Sequence, residues 1–477
     1  MNPESAYSHA IVIGGSIAGL TAARVLSDHF AQVTLIERDG PPDAATFRKG
    51  APQTRHPHAL LAKGEAILEE MFPGLVQELK AGGGIPANFG NEAGLYINGQ
   101  WCQSFTSAIT TIACSRPLLE STIYRKLTAL PNVQVLHGQE MLGLSVDDTQ
   151  TRVTGVRLLD RGDTAGGERT LSANLVVDAS GRGSHAPQWL EEWGYVPPTE
   201  TMVNAFTGYS TRIYRKPAYY TSEWKMLYMM TMAPHTPRGV IIIPMEGDRW
   251  HVCLIGVGGD YPPTDEAGFL EFARSLPSPV FYDLLKDAEP LTAPYGYRTA
   301  ENRMRFYEKL PRYLDGFVVT GDAVYAFNPV YGQGMSTAAM AAVTLGGCLK
   351  EQRRQGSQSL DGLAQRFQKK LAGVTAGPWQ MATGQDIRWP TTQGGQAPDP
   401  VTRLIQGYLD KVLMVMPRDP LVAEAFFHVQ NMLKVPQSLF HPKILWHVLK
   451  PQPRTQTTQP VSVRRLGDPV LAQPSLP

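Results

Sequence analysis

The chain has 477 residues, of which 43% are hydrophobic, so it is long enough for two or three domains with a large core. Its 44 Lys and Arg residues balance 43 Asp and Glu residues, which leaves no basic field for binding nucleic acid. The four cysteines lack metal-ligand spacing, and the sequence has neither a signal-peptide pattern nor an apolar run of about 18 residues. These observations predict a cytoplasmic protein without a metal site, disulfide framework or transmembrane segment.

The first predicted element is a phosphate-binding fingerprint. Residues 10–13 form an apolar run typical of a strand, a glycine-rich turn follows, and residues 22–26 continue as a helix. Ser16 stands where the G-x-G-x-x-G pattern has its middle glycine, so the close approach of a pyrophosphate depends on a small residue. The next predicted strand, residues 32–36, ends in Glu37, an acid that can hold ribose hydroxyls. These elements predict a dinucleotide site.

A second strand with an acidic end follows at residues 175–178, where Leu-Val-Val precedes Asp178. The turn after it, residues 179–184, is rich in Gly and Ser. Taken alone, this pattern is as typical of an ordinary strand exit as of a ligand site. Because it lies between the N-terminal fingerprint and a further glycine-rich segment, we assign Asp178 to the same site.

Two insertions rich in strand formers predict an antiparallel sheet. Residues 95–101 and 241–252 are typical of hairpins, the first around the turn dipeptide Asn98-Gly99. Methionine adapts to long ligands, so one face of the strand predicted at residues 226–232 is a candidate pocket lining, although ordinary sheet core explains the pattern more simply. By period-two alternation, that face consists of Met226, Tyr228, Met230 and Met232.

The segment at residues 316–345 indicates a flavin. A short strand leads to Gly321 and Asp322, a glycine-rich turn follows, and a helix begins near Gly334. A carboxylate at a strand end can accept hydrogen bonds from a ribityl chain, and glycines let backbone N–H groups approach a flat ring. The helix N-terminus would face the edge of the ring where negative charge collects on reduction. Tyr331 is predicted beside the ring without a catalytic role, since a packed, hydrogen-bonded tyrosine fits as well.

The pattern changes after residue 372. A polar stretch, residues 384–400, is typical of a linker, and helices are predicted at 401–416, 421–434 and 442–450. Short apolar runs within these helices predict packing on the body of the protein, with weak membrane contact as the alternative. The tail from residue 451, dense in Pro, Gln and Thr, is predicted to be mobile.

In this order and spacing, the three glycine-rich segments resemble the flavoprotein monooxygenases built like para-hydroxybenzoate hydroxylase, over roughly residues 8 to 350. Several stretches are similar to flavin-dependent polyene epoxidases of polyether biosynthesis, the lasalocid and monensin type, which are akin to squalene epoxidase. These stretches are residues 48–58 (Arg-Lys-Gly-Ala-Pro-Gln-Thr-Arg-His-Pro-His), 113–116 with Leu119, 178–184, and 321–335 with its Asn-Pro-Val-Tyr-Gly core.

The resemblance implies an α/β (α+β overall) fold: a Rossmann-like FAD-binding domain, an inserted antiparallel-sheet substrate domain and a C-terminal helical region. The FAD-binding domain is expected to be discontinuous. The predicted bounds are 1–85, 104–198 and 298–372 for the FAD-binding domain, 86–103 and 199–297 for the substrate domain, 373–450 for the helical region and 451–477 for the tail.

Carried over residue by residue, the resemblance also implies a cofactor site. Its nucleotide half is expected to comprise Gly14, Gly15, Ser16, Ala18 and Gly19 around the pyrophosphate, Glu37 at the adenosine ribose, Arg38 beside the adenine, Met141 flanking it and Arg116 at the linking chain or phosphates. Its flavin half is expected to comprise Asp178, Gly321 and Asp322 towards the ribityl chain, with Pro329, Gly332, Gly334 and Met335 along the isoalloxazine ring. His58 is placed beside the flavin, although a lone histidine is as often structural.

The function implied by the resemblance is monooxygenation, most closely epoxidation of an olefin in an apolar polyketide or terpenoid substrate. Reduced FAD would add dioxygen at its C4a carbon, and the hydroperoxide would give its outer oxygen to the substrate, so the flavin carries the chemistry and no catalytic protein residue is assigned. The electron donor would be NAD(P)H, used directly or through a separate flavin reductase. The alternatives are an aromatic hydroxylase, a reductase of isoprenoid double bonds and a flavin-binding partner without turnover.

Two departures from related patterns bear on this function. Phenol hydroxylases of this fold carry Asp-Gly in the segment that corresponds to residues 178–184. This chain has Asp178 followed by Ala-Ser-Gly, so the route of NAD(P)H stays open. Flavin halogenases carry a Trp-x-Trp-x-Ile-Pro signature. None of the eight tryptophans of this chain is two positions from another, which disfavours halogenation.

Overall fold

The computed structural model describes residues 7–44, 46–48, 50–160, 167–218, 220, 224–298, 300–355 and 359–451. Apart from Pro451, the tail predicted to be mobile lies outside these residues, as does Lys49 of the 48–58 stretch.

The described residues contain both strands and helices in an interleaved order. The strands are β1 (Tyr7–Ile13), β2 (Phe30–Glu37), β3 (Ile85–Asn88), β4 (Ala93–Ile97), β5 (Gln100–Trp101), β6 (Thr110–Ala113), β7 (Val133–His137), β8 (Gln139–Val146), β9 (Val153–Asp160), β10 (Arg169–Ser172), β11 (Leu175–Asp178), β12 (Glu200–Asn204), β13 (Gly208–Arg215), β14 (Met226–Met229), β15 (Arg238–Met245), β16 (Arg249–Gly256), β17 (Tyr295–Tyr297), β18 (Asn302–Arg305), β19 (Phe317–Val319), β20 (Tyr325–Ala326) and β21 (Gln393–Gly394). The helices are α1 (Ile17–Leu26), α2 (Ala62–Met71), α3 (Leu75–Ala81), α4 (Arg116–Thr128), α5 (Ala186–Glu192), α6 (Glu266–Arg274), α7 (Val280–Leu285), α8 (Gly334–Arg354), α9 (Leu363–Asp386), α10 (Pro400–Val415), α11 (Pro420–Gln430) and α12 (Pro442–Leu449).

A five-stranded parallel sheet forms the centre of the first domain, with strand order β19-β11-β1-β2-β7. Its central strands are apolar and buried, as expected for a parallel sheet covered on both faces. Helices α1 and α8 pack together, and α9 packs along α8. A three-stranded antiparallel sheet, β10-β9-β8, contacts β11 through β9. Because β19, β11, β1 and β2 are neighbouring parallel strands, their carboxyl ends lie at the same edge of the first sheet.

A seven-stranded sheet, in the order β17-β13-β16-β15-β14-β4-β5, forms the second domain. Both predicted hairpins are present, and Asn98 and Gly99 have positive φ angles of 49° and 77°, which a type I′ turn requires. Strand β14 shows the predicted alternation. Leu227 packs on one side into a cluster that includes Phe269 and Phe281, whereas Tyr228 packs on the other side against the C-terminal helices.

The C-terminal helices α10, α11 and α12 form where the sequence predicts them. The Asp399 and Asp419 side chains accept hydrogen bonds from N–H groups in the first turns of α10 and α11, and each is followed by proline. Buried residues such as Val412 and Val448 pack under the seven-stranded sheet, while Trp446 stays 69% exposed. Helix α9 continues through residue 372, where the predicted domain boundary lies, as far as Asp386. Among the described residues, no helix is long and apolar enough to cross a membrane.

The predicted fold class is confirmed: a Rossmann-like domain carries an inserted sheet and a C-terminal helical region. The inserted sheet is antiparallel as predicted, except that β4 and β14 pair in parallel.

Candidate functional site

The three glycine-rich segments meet at the carboxyl edge of the parallel sheet. Strand pairing places Ile13 opposite Asp178, and Asp178 opposite Val319, so the turns that follow β1, β11 and β19 are neighbours. Ligands of open α/β sheets bind at this edge. We call the turns after β1, β2, β11 and β19 the cofactor cradle.

Glycine is required in the first turn for steric reasons. Gly14 has a φ of 99°, and a Cβ atom built there would lie 2.6 Å from the Ala179 carbonyl oxygen of the neighbouring turn. A Cβ atom on Gly19 would lie 1.7 Å from the Gly14 carbonyl oxygen, so α1 packs directly on the turn. A Cβ atom on Gly321 would lie 2.7 Å from the Ala18 Cβ atom, which brings the flavin segment against the same helix. Only glycine allows this close backbone packing.

The N-terminus of α1 is open to an anion. Ser16 is the N-cap residue, but its side chain makes no capping hydrogen bond to the helix. Its hydroxyl instead donates to Glu120 Oε1 over 2.9 Å. First-turn N–H groups of a helix, left without a side-chain cap, attract phosphate through both hydrogen bonding and the helix dipole.

Glu37 is already bound by three groups of the protein. Its Oε2 atom accepts from the Gly15 N–H at 2.7 Å and from Arg48 at 3.0 Å, and its Oε1 atom accepts from the Asp39 N–H at 2.9 Å. Arg48 also donates to the Gly15 carbonyl at 2.9 Å. Glu37 therefore stabilises the conformation of the turn through these hydrogen bonds. It also lies where the ribose is predicted to bind. The sequence assigned no role to Arg48, because its distance from Glu37 in the chain carries no spacing signal.

Arg116 forms the other wall of this turn. It donates two hydrogen bonds to Glu120 Oε1, at 2.9 and 2.8 Å, and one to the Ser16 hydroxyl at 3.0 Å. Glu120 is 1% exposed, and its second oxygen lies 3.6 Å from Arg48. A buried carboxylate thus fixes two arginines beside the phosphate-binding turn. The sequence did not identify Glu120, although its i,i+4 spacing from Arg116 is a detectable pattern.

The predicted adenine-binding residues lie beyond Glu37. Arg38 is exposed and donates to the Gly50 carbonyl at 3.0 Å. His137, the last residue of β7, pairs with Glu37, and the half-buried Met141 follows it in β8. Both predicted residues are therefore close in the fold to the end of β2, where the adenosine is expected.

Asp178 lies in the cofactor cradle, but its carboxylate faces its own turn. One oxygen accepts from the Ser180 N–H at 2.9 Å and the other from the Ser184 hydroxyl at 2.5 Å. The side chain is fully buried, and this burial raises its pKa. Asp178 organises the turn at residues 179–184 in this structure.

Asp322 is the carboxylate of the cofactor cradle that is free to bind a ligand. Within the part of the chain that the structure describes, no residue donates a hydrogen bond to its side-chain oxygens. Burial raises its pKa, while Arg182, Arg116 and Arg303 act in the opposite direction. A partly buried acceptor without a protein donor is suited to the hydroxyl groups of a ribityl chain.

Residues 328–335, which the sequence predicts along the flavin ring and which we therefore call the flavin-facing turn, connect the cradle to α8. Gly332 has a φ of 66°, and a Cβ atom there would lie 3.4 Å from that of Ala59. At Gly334, the first residue of α8, a Cβ atom would meet no heavy atom of the described structure within 4 Å. The turn therefore exposes a helix N-terminus to open space, next to the 48–58 stretch. Pro329 is exposed and Met335 is buried beneath the turn.

His58 directly precedes Ala59, the residue that lies beside Gly332. Its Nδ1 atom lies 2.8 Å from the His56 carbonyl oxygen. Burial, and secondarily the charge of Arg116, lowers the pKa of His58 well below its usual value. A neutral imidazole must donate from Nδ1 to a carbonyl, which leaves Nε2 as a hydrogen-bond acceptor.

A second cluster packs behind the flavin-facing turn. We give the name candidate substrate chamber to the part of this packed cluster formed by Tyr209, Tyr228, Ile241, Tyr297 and Val330, where a substrate is proposed to bind. Burial raises the pKa of the Tyr228 and Tyr297 hydroxyls, and it raises the pKa of the adjoining Cys253 thiol to about 12. The polar groups of the chamber are therefore neutral over the physiological pH range.

The five predicted pocket residues separate into groups. Tyr228 belongs both to the chamber and to the cluster formed with the C-terminal helices, and Tyr331 lies in the flavin-facing turn. Met230 and Met232 follow the end of β14 and pack with the C-terminal cluster, while Met226 is half-buried at the start of the strand. Strand β14 is shorter than predicted because only residues 226–229 pair with β4 and β15.

The residues of the cradle fit FAD. A helix N-terminus, two arginines and a partnerless carboxylate supply the groups that a pyrophosphate and a ribityl chain need, in the order in which FAD carries them. No group of three His, Cys, Asp or Glu residues in the described ranges could hold a metal ion.

Comparisons with known proteins agree with this fit. Protein Rv3254 of Mycobacterium tuberculosis is 32% identical over 482 residues, covering 97% of this chain and 98% of the relative. Among solved structures, a flavoprotein/dehydrogenase from Cytophaga hutchinsonii has a TM-score of 0.64 at 18% identity, covering 92% of this chain and 96% of that chain.

Two further structures share the fold. PqsL of Pseudomonas aeruginosa, described as a probable FAD-dependent monooxygenase, has a TM-score of 0.56 at 17% identity, covering 88% of this chain and 100% of that chain. The flavin-dependent brominase Bmp2 has a TM-score of 0.60 at 16% identity, covering 89% of this chain and 94% of that chain. The sequence profile of a family described as "FAD binding domain" matches residues 7–363, and the chain belongs to that family.

Proposed function

We propose that the protein is an FAD-dependent monooxygenase that epoxidises an olefin in a largely apolar small molecule, such as a polyketide or terpenoid. The observation that carries this proposal is the candidate substrate chamber, whose aromatic and aliphatic side chains pack directly against the flavin-facing turn through Val330. Bound FAD supplies the oxygen-transfer chemistry. The chain supplies binding, orientation and the exclusion of water.

The proposed reaction balances with one external reductant. One atom of dioxygen enters the carbon–carbon double bond, and the other leaves as water. NAD(P)H gives the two electrons, either directly or through a separate flavin reductase as partner. The substrate must be held over the flavin-facing turn while water is kept away, and buried rings such as those of Tyr209 and Tyr228 are suited to this task.

The neutral state of the chamber supports an olefin over a phenol. Phenol hydroxylation usually requires a base that removes the phenolic proton, whereas an olefin needs none. His56 contacts Tyr209 and Tyr297, but burial and the nearby His251 and Arg55 lower its pKa to about 4, which makes it a weak base. The Tyr228 hydroxyl and the Cys253 thiol are held neutral by burial.

The similarity of fold to PqsL supports monooxygenation, and the similarity to Bmp2 raises halogenation as an alternative. The tryptophan spacing of this chain disfavours the latter.

Labelled dioxygen tests the proposal. The purified protein is expected to be yellow and, when reduced, to incorporate one labelled oxygen atom into an apolar polyene but none into a phenol. Label in the phenol ring would identify an aromatic hydroxylase instead, and saturation of the polyene without label would identify a double-bond reductase. Oxygen consumption that yields only hydrogen peroxide with every substrate class would contradict monooxygenation. Enzyme carrying Asp322→Ala serves as the control with weakened FAD binding.

A further inference from the structure

One buried carboxylate outside the three glycine-rich segments reaches the flavin-facing turn. Asp386 is the last residue of α9 and is 2% exposed. It lies 55 residues after Tyr331 and 84 after Asn302 in the chain, so no local spacing pattern links it to the turn.

Three side chains donate hydrogen bonds to this carboxylate. The Tyr331 hydroxyl donates to Oδ1 at 2.6 Å, and Oδ2 accepts from the Asn302 amide at 2.7 Å and from the Asn328 amide at 3.0 Å. Two of the three donors belong to the flavin-facing turn. The carboxylate therefore fixes both ends of the short 3₁₀ segment Pro329–Tyr331.

The network continues into the candidate substrate chamber. Asn328 Oδ1 accepts from the Tyr209 hydroxyl at 2.7 Å and from the Val330 N–H at 3.2 Å. The Asn328 N–H donates to Asn302 Oδ1 at 2.8 Å. Every polar atom of the Asn328 side chain is thus bound, and its conformation is determined by Asp386 on one side and Tyr209 on the other.

The charge arrangement around Asp386 is unusual for a purely structural carboxylate. Its side-chain donors are all neutral, and among the described residues none forms an ion pair with it. Burial raises its pKa, and the three hydrogen bonds lower it. Burying a carboxyl group without a cation is costly, and an apolar side chain would pack here at lower cost. An apolar side chain, however, would not orient Tyr331 and Asn328, because it accepts no hydrogen bonds.

Helix α9 contacts the flavin segment at a second point. The buried Gln368 side chain donates to the Val319 carbonyl at 2.9 Å, just before Asp322. Gln368 and Asp386 are separated by about 27 Å along the helix, at 1.5 Å per residue. The same helix therefore holds the strand end that leads to Asp322 and the turn that faces the ring.

We propose that Asp386 is a positioning residue that sets the orientation of the flavin-facing turn, so that the C-terminal helix α9 takes part in the flavin site. This inference rests on the proposed flavin-dependent function. It adds a residue from outside the three glycine-rich segments and a coupling between the turn and Tyr209 of the chamber.

The test compares Asp386→Asn with a matched control, Glu424→Gln. Glu424 also ties the C-terminal helices to the body through neutral donors, because it accepts from the Ser107 hydroxyl at 2.6 Å and the Ala108 N–H at 3.0 Å. Among the described residues, no hydrogen bond of Glu424 involves the flavin-facing turn. A second variant, Tyr331→Phe, removes one bond of the network without altering the carboxylate.

The first readout needs no cofactor. In FAD-free protein, Asp386→Asn is expected to make amide hydrogen exchange at residues 328–332 about tenfold faster, as expected for the loss of hydrogen bonds to a carboxylate. Tyr331→Phe is expected to produce a smaller change in the same residues, and Glu424→Gln to change exchange at residues 107–109 only. Unchanged exchange at 328–332 in both network variants would overturn the inference, as would equal acceleration by the control.

The second readout uses the holoenzyme. The Asp386→Asn and Tyr331→Phe variants are expected to shift the visible spectrum and midpoint potential of bound FAD and to raise the peroxide released per NAD(P)H, with little change in KM. Glu424→Gln is expected to leave all three unchanged. A wild-type protein that binds no FAD would contradict the proposed function, whereas FAD binding with unaltered spectra and potential in both network variants would contradict only the role of Asp386.

Discussion

The cofactor cradle and the region around the candidate substrate chamber differ in how their carboxyl groups are paired. In the cradle, Glu37 and Glu120 pair with Arg48 and Arg116, and a helix N-terminus lies between them. Behind the flavin-facing turn, by contrast, the carboxyl group of Asp386 is held by neutral donors only. The charges of the cradle suit an anionic ligand, and we propose that the chamber takes a ligand that brings no charge.

The two regions also differ in how the chain builds them. The cradle uses backbone positions inside short contiguous segments, where a single added Cβ atom collides with a neighbouring turn. The chamber uses side chains from β13, β14, β15, β17 and the flavin-facing turn, which are far apart in sequence. Substitutions in the cradle should therefore abolish cofactor binding, whereas those in the chamber should alter substrate use more gradually.

The largest effect is expected for Gly19→Ala. Its Cβ atom would lie 1.7 Å from the Gly14 carbonyl oxygen, a backbone atom that cannot move without displacing the turn. We expect loss of bound FAD, measured by flavin absorbance. We also expect the free energy of unfolding to fall by about 1–3 kcal/mol, measured by thermal unfolding. The matched control is Gly347→Ala in the exposed face of α8, where a Cβ atom meets nothing within 4 Å. Equal behaviour of the two variants would contradict the steric requirement.

Asp322→Ala removes the partnerless acceptor of the cradle. A hydrogen bond to a charged group contributes about 1.5–3 kcal/mol, so the Kd for FAD is expected to rise by about 10- to 100-fold. Fluorescence titration of the FAD-free protein measures this change. Asp148→Ala in an exposed turn is the control and should leave the Kd unaltered. An unchanged Kd for Asp322→Ala would show that the ribityl chain binds elsewhere.

Acid is expected to destabilise the chamber side of the molecule through two buried histidines. Burial lowers the pKa of His56 and of His251 to about 4, against about 6.5 in the unfolded chain. The unfolded state therefore binds protons more readily between these two pKa values. The contribution of the neutral histidines to the free energy of unfolding is complete above about pH 6.5 and is lost as the pH falls towards 4. Each histidine contributes a slope of up to about 1.4 kcal/mol per pH unit.

Thermal unfolding across this pH range provides the measurement. His56→Gln is expected to flatten the fall of Tm between about pH 6.5 and 4, whereas His235→Gln, at an exposed position, should not. A wild-type Tm that is constant over this interval would contradict the buried neutral state of the pair.

The smallest effect is expected for Tyr228→Phe. The Tyr228 hydroxyl forms no hydrogen bond to another described residue, so the free energies of unfolding and of FAD binding should each change by less than about 0.5 kcal/mol. With an apolar olefin, KM should change by no more than about threefold. Tyr209→Phe, which removes the bond to Asn328, should have a larger effect. A tenfold rise in KM for Tyr228→Phe would instead show that the substrate presents a polar group to this hydroxyl.

Much of the cradle could be predicted from sequence because its chemistry is local. A strand, a glycine turn and a helix must follow one another within a few residues, and Gly14, Gly19 and Asp322 lie where that order places them. The hairpins and helices α10–α12 were also predictable, since turn dipeptides, caps and N1 prolines act over one turn. The role of Arg48 was not predictable, because it depends on contacts across the sheet edge. Glu120 has a detectable i,i+4 spacing from Arg116, but its contact with Ser16 joins residues far apart in the chain.

The sequence by itself determined the FAD-binding family, the parallel-sheet domain and the segments predicted to bind the nucleotide and the flavin, because those features depend on neighbouring residues and on glycine's lack of a side chain. Only the tertiary structure decided which face of β14 meets the flavin-facing turn, that Asp178 binds its own turn while Asp322 is free for a ligand, and that Asp386 supports Tyr331. Those outcomes depend on contacts between residues far apart in the chain, and burial and hydrogen bonding at such contacts leave no periodic signal in the sequence.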